Sequence, residues 1–432
     1  MAPPDLAFVL EALFDTYPLY IDRHSRQAVE RVLHHLVDGP NGALALPAAV
    51  NFLKRECGKK GIAHVNARVL VDWCALLLLE FARAPERWAK HGLDVVQALA
   101  RVLETCVSVG HDRRALRLQH SALVSVRRAL RALFTAGRLG ETALDQSVVA
   151  LTAKGSSPSA GNAVLLGVIA GVCSRKPLVK PALERHKQEY YAFYVREIIG
   201  SRTQLPDHIS TALHDFFDAF PTLDELRKEV IPPLEKALLR APEVVLNDIV
   251  SPMFLALPES LDLSQVLLGN LLKPLLSNIK STNPVIRAGV LRTFQALASR
   301  SKDEAAIGKV ADEILNPLKQ AKVSGVDQKV LHAQMLAALP ESAALSQKIP
   351  AGLAPVALKE PNEPATVAHV KALTKHLTFG LANGVALDKT VSDAFVKGIA
   401  DKRVPIRRLW AIRTCDVWFE LSPAQSSQPD VL

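Results

Sequence analysis

Leu268, Leu271, Leu272, Leu275, Leu276 and Ile279 recur at the spacing that places side chains on one face of a helix. A short polar turn follows, and Pro284 opens a second run in which Ile286, Val290, Phe294 and Leu297 keep the same period. The same phrase stands about one repeat earlier, with Val230, Ile231, Leu234, Leu238 and Leu239 followed by Pro242, Val244 and Val245. Neither helix can bury so wide an apolar stripe alone, so the pattern predicts helix pairs that stack on their neighbours.

Two sets of prolines give the register. The one inside the first helix stands at Pro233, Pro274, Pro317 and Pro355, and the one opening the second helix at Pro242, Pro284, Pro364 and Pro405. A repeat lacking the opening proline begins near Gly325 and Val326. Steps of about forty residues with two helices per unit identify the HEAT/armadillo class. Proline in the first turn costs little, because its missing N–H has no intrahelical partner there. Proline inside the first helix removes a backbone bond and predicts a bend.

The fold expected is an all-α HEAT-repeat α-solenoid of about ten helix pairs. They fall near 3–38, 44–83, 88–136, 141–174, 181–220, 222–257, 262–299, 304–340, 345–379 and 386–421. Residues 1–432 read as a single continuous array, degenerate over 1–220 and more regular over 221–421, with a flexible tail at 422–432. The longest small-residue interruption, 154–161, suits only a loop between paired helices. Near the C-terminus Trp410, Ile412, Val417 and Trp418 are followed by no polar capping repeat. The expectation is therefore an N-terminal piece of a longer solenoid.

Composition narrows the chemistry. The five cysteines are scattered without a Cys-x-x-Cys pair, which suits reduced, buried thiols in the cytoplasm. No secretory signal opens the chain, and the longest apolar run, 163–173, is about half of what a bilayer needs, so no membrane partner is expected. No catalytic, cofactor or metal motif survives inspection. Gly155, Gly161, Gly167 and Gly171 lie in a helix pair and read as packing residues. His34 and His35 are adjacent and point to different faces. Tyr190, Tyr191, Phe193 and Tyr194 cluster on one helix, and Tyr190 and Tyr194, four apart, read as seam residues with hydroxyls at its edge, in preference to a base-stacking platform.

The net charge of +9 speaks to partners. Residues 111–140 carry seven arginines, Arg113, Arg114, Arg117, Arg127, Arg128, Arg131 and Arg138, against the single acid Asp112. Arg113, Arg117, His120, Arg127 and Arg131 form one helical stripe, and guanidinium forks match phosphate geometry. A solvated face paired with acids of a neighbouring repeat is the other reading. Secondary basic patches are Lys54, Arg55, Lys59 and Lys60, then Arg175, Lys176 and Lys180, and then Lys402, Arg403, Arg407, Arg408 and Arg413. Arg287 and Arg407 follow the helix-opening prolines and are expected to link repeats.

The wording of residues 250–258 (VSPMFLALP), 271–284 (LLKPLLSNIKSTNP) and 401–410 (DKRVPIRRLW) resembles the N-terminal region of the general control nonderepressible one family, giant HEAT-repeat translational activators of fungi. The resemblance implies a cytoplasmic, ribosome-associated scaffold in the amino-acid starvation response. Such a scaffold activates the kinase that phosphorylates the alpha subunit of initiation factor two. Implied partners are ribosomal RNA or ribosomal proteins and regulators of that kinase pathway. The kinase contact itself is expected outside this segment. A HEAT-repeat adaptor for other proteins, without nucleic-acid contact, is the alternative.

Overall fold

A computed structural model describes residues 3–16, 23–40, 42–107, 113–155, 159–174, 179–200, 216–217, 222–240 and 242–420. Every regular element among them is helical. Contacts divide the chain into two compact units, Met1–Pro221 with Ala256–Pro258, and Thr222–Leu255 with Glu259–Leu432.

The first unit contains α1 (Pro3–Thr16), α2 (Arg23–Asp38), α3 (Gly42–Cys57), α4 (His64–Arg83), α5 (Pro85–Val107), α6 (Arg113–Phe134), α7 (Arg138–Thr152) and α8 (Ser159–Cys173). A broken segment follows, α9 (Lys180–Arg185) and α10 (187–199). First helices pack on first helices, α1 on α3, α3 on α5 and α5 on α7. Second helices do likewise, α2 on α4, α4 on α6 and α6 on α8. This is the stacking that the wide apolar stripes demanded. The second half of the fifth predicted pair lies almost wholly outside the described residues.

The second unit holds five pairs. They are α11 (223–240) with α12 (242–256), α13 (264–278) with α14 (Pro284–Ala298), and α15 (Glu304–Lys319) with α16 (Val326–Ala338). Then come α17 (Ala343–Lys359) with α18 (Glu363–Ala382) and α19 (Lys389–Ile399) with α20 (Val404–Glu420). The same alternate stacking holds, α15 on α17, α17 on α19, α14 on α16, α16 on α18 and α18 on α20. Leu271, Leu275, Ile279, Val290, Phe294 and Leu297 are all fully buried, so the sequence stripe is the core. Trp410 is buried edge-on against Phe395, with ring centroids 5.0 Å apart. No helix among the described residues is long and apolar enough to cross a membrane.

The ends of these helices follow local chemistry. Asn283 accepts from the Val285 N–H at 2.9 Å, Asp303 from Ala305 at 3.0 Å, Ser342 from Leu345 at 3.3 Å and Asp388 from Thr390 at 2.7 Å. Each satisfies an N–H that the first turn leaves unpaired. Thr222 and Glu225 close a reciprocal capping box. The interior prolines act in a more specific way than a simple bend. In α11 and α13 a widened π turn, Leu226–Val230 and Leu267–Leu271, precedes Pro232–Pro233 and Pro274 with one and two residues between. A third, Val245–Val250, precedes Pro252 in α12. The wider turn makes room for a ring that would otherwise meet the carbonyl four residues back. Pro317 and Pro355 stand in uninterrupted α-helix.

Neighbouring pairs are tied by polar contacts about one period apart. Arg287 donates to the Ser281 and Thr282 carbonyls at 2.9 and 3.1 Å and reaches Asp327 in the next repeat at 2.9 Å. The expectation that it links repeats is met. Lys329 bonds Glu360 at 2.7 Å, and Lys348 bonds Asp312 at 2.7 Å. At the next step the tie is Arg403, where Arg407 was expected. Arg403 donates to the Glu360 and Pro361 carbonyls at 3.0 and 2.9 Å and to both oxygens of Asp401. Its bonds hold the Asp401 carboxyl below the usual carboxylate range. Arg407 is exposed and reaches only the Asp401 carbonyl of its own turn, at 3.4 Å. Arg403→Ala is expected to lower unfolding stability by about 2 kcal/mol, since several charge-assisted bonds and a buried carbonyl lose their donor. Arg407→Ala should change it by less than about 0.5 kcal/mol. Urea midpoints of the two variants compare them directly.

Candidate phosphate-facing surface

Helix α6 has an apolar and a cationic side. Ala122, Val126, Ala129, Leu130 and Leu133 are at most 1 % exposed and face the core. His120, Val124, Arg128, Arg131 and Thr135 are exposed, and their spacing of four, four, three and four residues makes them one solvent-facing line. His120 and Arg131 keep their places in the predicted stripe, and one member between them changes. Arg128 stands in the line where Arg127 was expected, and Arg127 is half-buried. One residue is about 100° of helical rotation, so a neighbour's packing decides which of two adjacent arginines meets water. Arg113, Arg114 and Arg117 begin α6, but their side chains lie outside the described residues.

The acids that could neutralise this line have other partners. α4, packed along α6, carries two. Asp72 pairs with Arg68 and accepts from Ser125, and Glu80 lies within 3.0 Å of both Arg83 and His34. α8, on the other flank, carries none. In α7, Asp145 accepts from His186 at 2.7 Å, and both it and Glu141 lie within 4 Å of Arg185. Arg128 and Arg131 make no ion pair among the described residues.

The secondary patches fare unequally. Lys54 pairs with Asp94 at 3.0 Å, Arg55 with Glu11 and Glu56, and Lys59 with Glu56. That patch is largely neutral. Lys180 lies 4.0 Å from Glu184, and Arg175 and Lys176 lie outside the described residues. Of the C-terminal group, Lys402 and Arg408 are exposed, Arg413 pairs with Asp416 at 2.7 Å, and Arg403 leaves the patch because its donors hold the repeat junction.

The aromatic cluster is core. Tyr190, Tyr191, Phe193 and Tyr194 are at most 4 % exposed, and Phe216 stacks on Tyr190 with centroids 5.2 Å apart. The hydroxyls are not at the seam's edge as expected. Tyr190 donates inward to the Leu166 carbonyl at 3.1 Å, and burial pushes the phenols of Tyr190 and Tyr194 up.

His34, Asp38 and Glu80 converge closely enough to suggest a cation site. Arg83 and Arg87 already supply the positive charge there, Arg87 bonding Asp38 at 2.8 Å. The group is an ion-pair network between helices. Cys57, Cys74, Cys106 and Cys173 are buried, and Cys415 is exposed. Burial pushes the Cys106 and Cys173 thiols up to about 12, far from the thiolate that reactive sites need.

Comparison with known proteins adds an independent line. Residues 187–324 match the family model described as stalled ribosome sensor GCN1 N-terminal, and residues 326–431 match general control nonderepressible 1 (Gcn1) N-terminal. The yeast Saccharomyces cerevisiae protein named eIF-2-alpha kinase activator GCN1 is 28% identical over 247 residues, covering 55% of this chain and 9% of that protein. The mouse protein named stalled ribosome sensor GCN1 is 28% identical over 196 residues, covering 45% and 7%. Its human namesake is 26% identical over 176 residues, covering 40% and 6%. The chain thus spans less than a tenth of the length of these relatives.

Proposed function

Starting from a chain that belongs to the GCN1 family through the two N-terminal modules spanning 187–431, we propose that it is a non-catalytic scaffold segment of a translational activator. In this reading it works in the cytoplasm during amino-acid starvation. It helps to hold on the ribosome a protein that activates the kinase for initiation factor two alpha. The names of the relatives, kinase activator and ribosome sensor, support that role. The kinase-contacting part is expected elsewhere in the longer protein.

The observation that carries the ribosome contact is the uncompensated line on α6. Arg128 and Arg131 are exposed, and the acids on the flanking second helices are bound to other cations. Two planar guanidiniums one turn apart suit the phosphates of structured RNA. Lys402 and Arg408 would give a second, weaker contact. Binding of this kind is steeply salt-dependent, because each phosphate contact releases counterions.

Co-sedimentation of the purified chain with ribosomes across a salt series tests the assignment. The double variant Arg128→Glu/Arg131→Glu should bind at least about tenfold more weakly at low salt, and its slope against log salt should flatten by about 1.5. Both side chains are exposed, so the fold should be retained. Unchanged sedimentation would remove α6 from the contact.

A further inference from the structure

The first helices of the second unit end on a recurring cation. Arg240 closes α11, Lys280 follows α13, Lys319 closes α15 and Lys359 closes α17, each exposed. One such residue per repeat places a row of positive charge along one edge of the stack. Arg240, Lys280, Lys319 and Lys359 make no ion pair among the described residues.

Between the third and fourth pairs of this unit the edge opens into a groove of about 510 Å³. Lys319 and Lys359 stand on its rim, and Leu318, Val323, Pro355 and Val356 supply apolar wall. The one carboxylate in the lining, Glu360, is already bonded by Lys329 at 2.7 Å and by the Asn362 side chain at 2.8 Å. The net charge presented is therefore positive.

Two further features mark the groove as unfinished by the protein itself. His369, on its wall, is fully buried, and neither ring nitrogen has a hydrogen-bond partner. A buried polar group in that state calls for an explanation, and a wall that a ligand completes is one. Ala321, also in the lining, has φ 53°, the only non-glycine among the described residues in the left-handed region. It sits after α15 where the Lys322 N–H reaches back to the Pro317 carbonyl at 3.0 Å, a helix end that glycine ordinarily takes. Retaining a β-carbon against that preference, beside a groove, points to a use for the surface it completes.

We propose that this groove binds an acidic peptide segment of a partner protein. An apolar side chain enters between Val323 and Pro355, and flanking carboxylates meet Lys319 and Lys359. Nucleic acid fits less well. The aromatic ring on its wall, His369, is fully buried and offers no face for a base to stack on, and the groove's cations are lysines, which lack the planar fork of arginine. The proposal stands apart from the ribosome contact on α6, which lies in the other unit.

The test is fluorescence anisotropy with the full chain and a short fluorescein-labelled peptide in which aspartates flank a central leucine. Lys319→Glu/Lys359→Glu should weaken binding by at least about tenfold. Lys309→Glu/Lys397→Glu, an equal charge change at exposed lysines outside the groove, should weaken it by less than about twofold. If the glutamate double variant loses its helical circular dichroism, Lys319→Gln/Lys359→Gln gives the same readout with smaller perturbation. Equal weakening by the two double variants would reduce the effect to bulk charge and overturn the assignment. Displacement of the peptide by oligouridine at lower concentration than by unlabelled peptide would make the groove a nucleic-acid surface and overturn it equally. Arg128→Glu/Arg131→Glu should leave peptide binding intact, so failure here and failure of the ribosome assignment can be told apart.

Discussion

Gly161→Ala is expected to destabilise the first unit by about 3 kcal/mol, while the same substitution at Gly269 in the second unit changes stability by less than about 1 kcal/mol. A β-carbon at Gly161 would lie 1.9 Å from the Ala100 carbonyl oxygen and 3.2 Å from the Glu104 nitrogen. Both belong to the backbone of α5, so no side-chain rotation relieves the overlap, and α8 must move off α5. The shift would loosen the packing of Leu165 and Ile169, which are fully buried. At Gly269 a β-carbon meets nothing within 4 Å, and alanine also lowers the entropy of the unfolded chain. Hydrogen exchange followed by mass spectrometry separates the two units. Loss of protection over α5 and α8 in Gly161→Ala, with protection over 222–420 retained, is the expected pattern. Wild-type protection in that variant would show that the approach of α8 to α5 is not needed for stability.

Acidification should act chiefly on the second unit, and before its carboxylates titrate. Burial lowers the pKa of His332, His369 and His376, that of His369 to about 4. In the unfolded chain a histidine titrates near 6.5. Between those values the unfolded state binds protons that the folded state refuses, so stability rises with pH across that window. It is fully present above about 6.5 and is lost as pH falls towards 4. For His369 alone the gap corresponds to about 3 kcal/mol. The carboxyls of Asp262, Asp303 and Asp401 are held below their ordinary value by hydrogen bonds, so their contribution disappears only at lower pH. Urea midpoints at pH 7, 5.5 and 4.5 should therefore fall steadily for the wild type. His369→Leu should flatten the fall by about a third to a half at unchanged fold. An identical pH slope in that variant would show that this imidazole is not the group responsible.

The repeat was legible because helical stacking writes its requirement into the chain twice. Apolar residues keep the period of the helix, and prolines keep the period of the repeat. Pro242 and Pro284 open helices, and Val326 begins the helix whose proline is missing. Arg287 could be assigned to a repeat junction because that proline fixes its position. The same reasoning chose Arg407 where Arg403 does the work. The deciding residue is Asp401, two positions before Arg403, whose carboxylate turns the guanidinium back towards the Glu360 and Pro361 carbonyls. On α6, Arg127 and Arg128 differ only by helical phase, which the weight of α4 and α8 on either flank settles and a single sequence does not record. His369 and His376 fall with Ala365 and Leu373 on the buried face of α18 at spacings of four, four and three. That spacing stands in the sequence, but histidine is polar, so an apolar-period pattern passes over it. The row ending in Lys319 and Lys359 was readable too, as a basic residue closing successive first helices. What the sequence did not hold was that an open groove lies beside it.

The ties described between repeats span between 31 and 43 residues, from Lys329 to Glu360 and from Arg403 to the Glu360 carbonyl. None of them reaches past the adjacent pair, and among the described residues the extensive helix contacts likewise join helices of the same or adjacent pairs. A unit built this way has no keystone. Under tension each interface takes a share of the extension in series, so the second unit should yield as a soft spring and recover, with rupture starting at a terminal pair. If the proposed attachment through α6 holds, such compliance would let the second unit stretch with a moving partner without loading that contact.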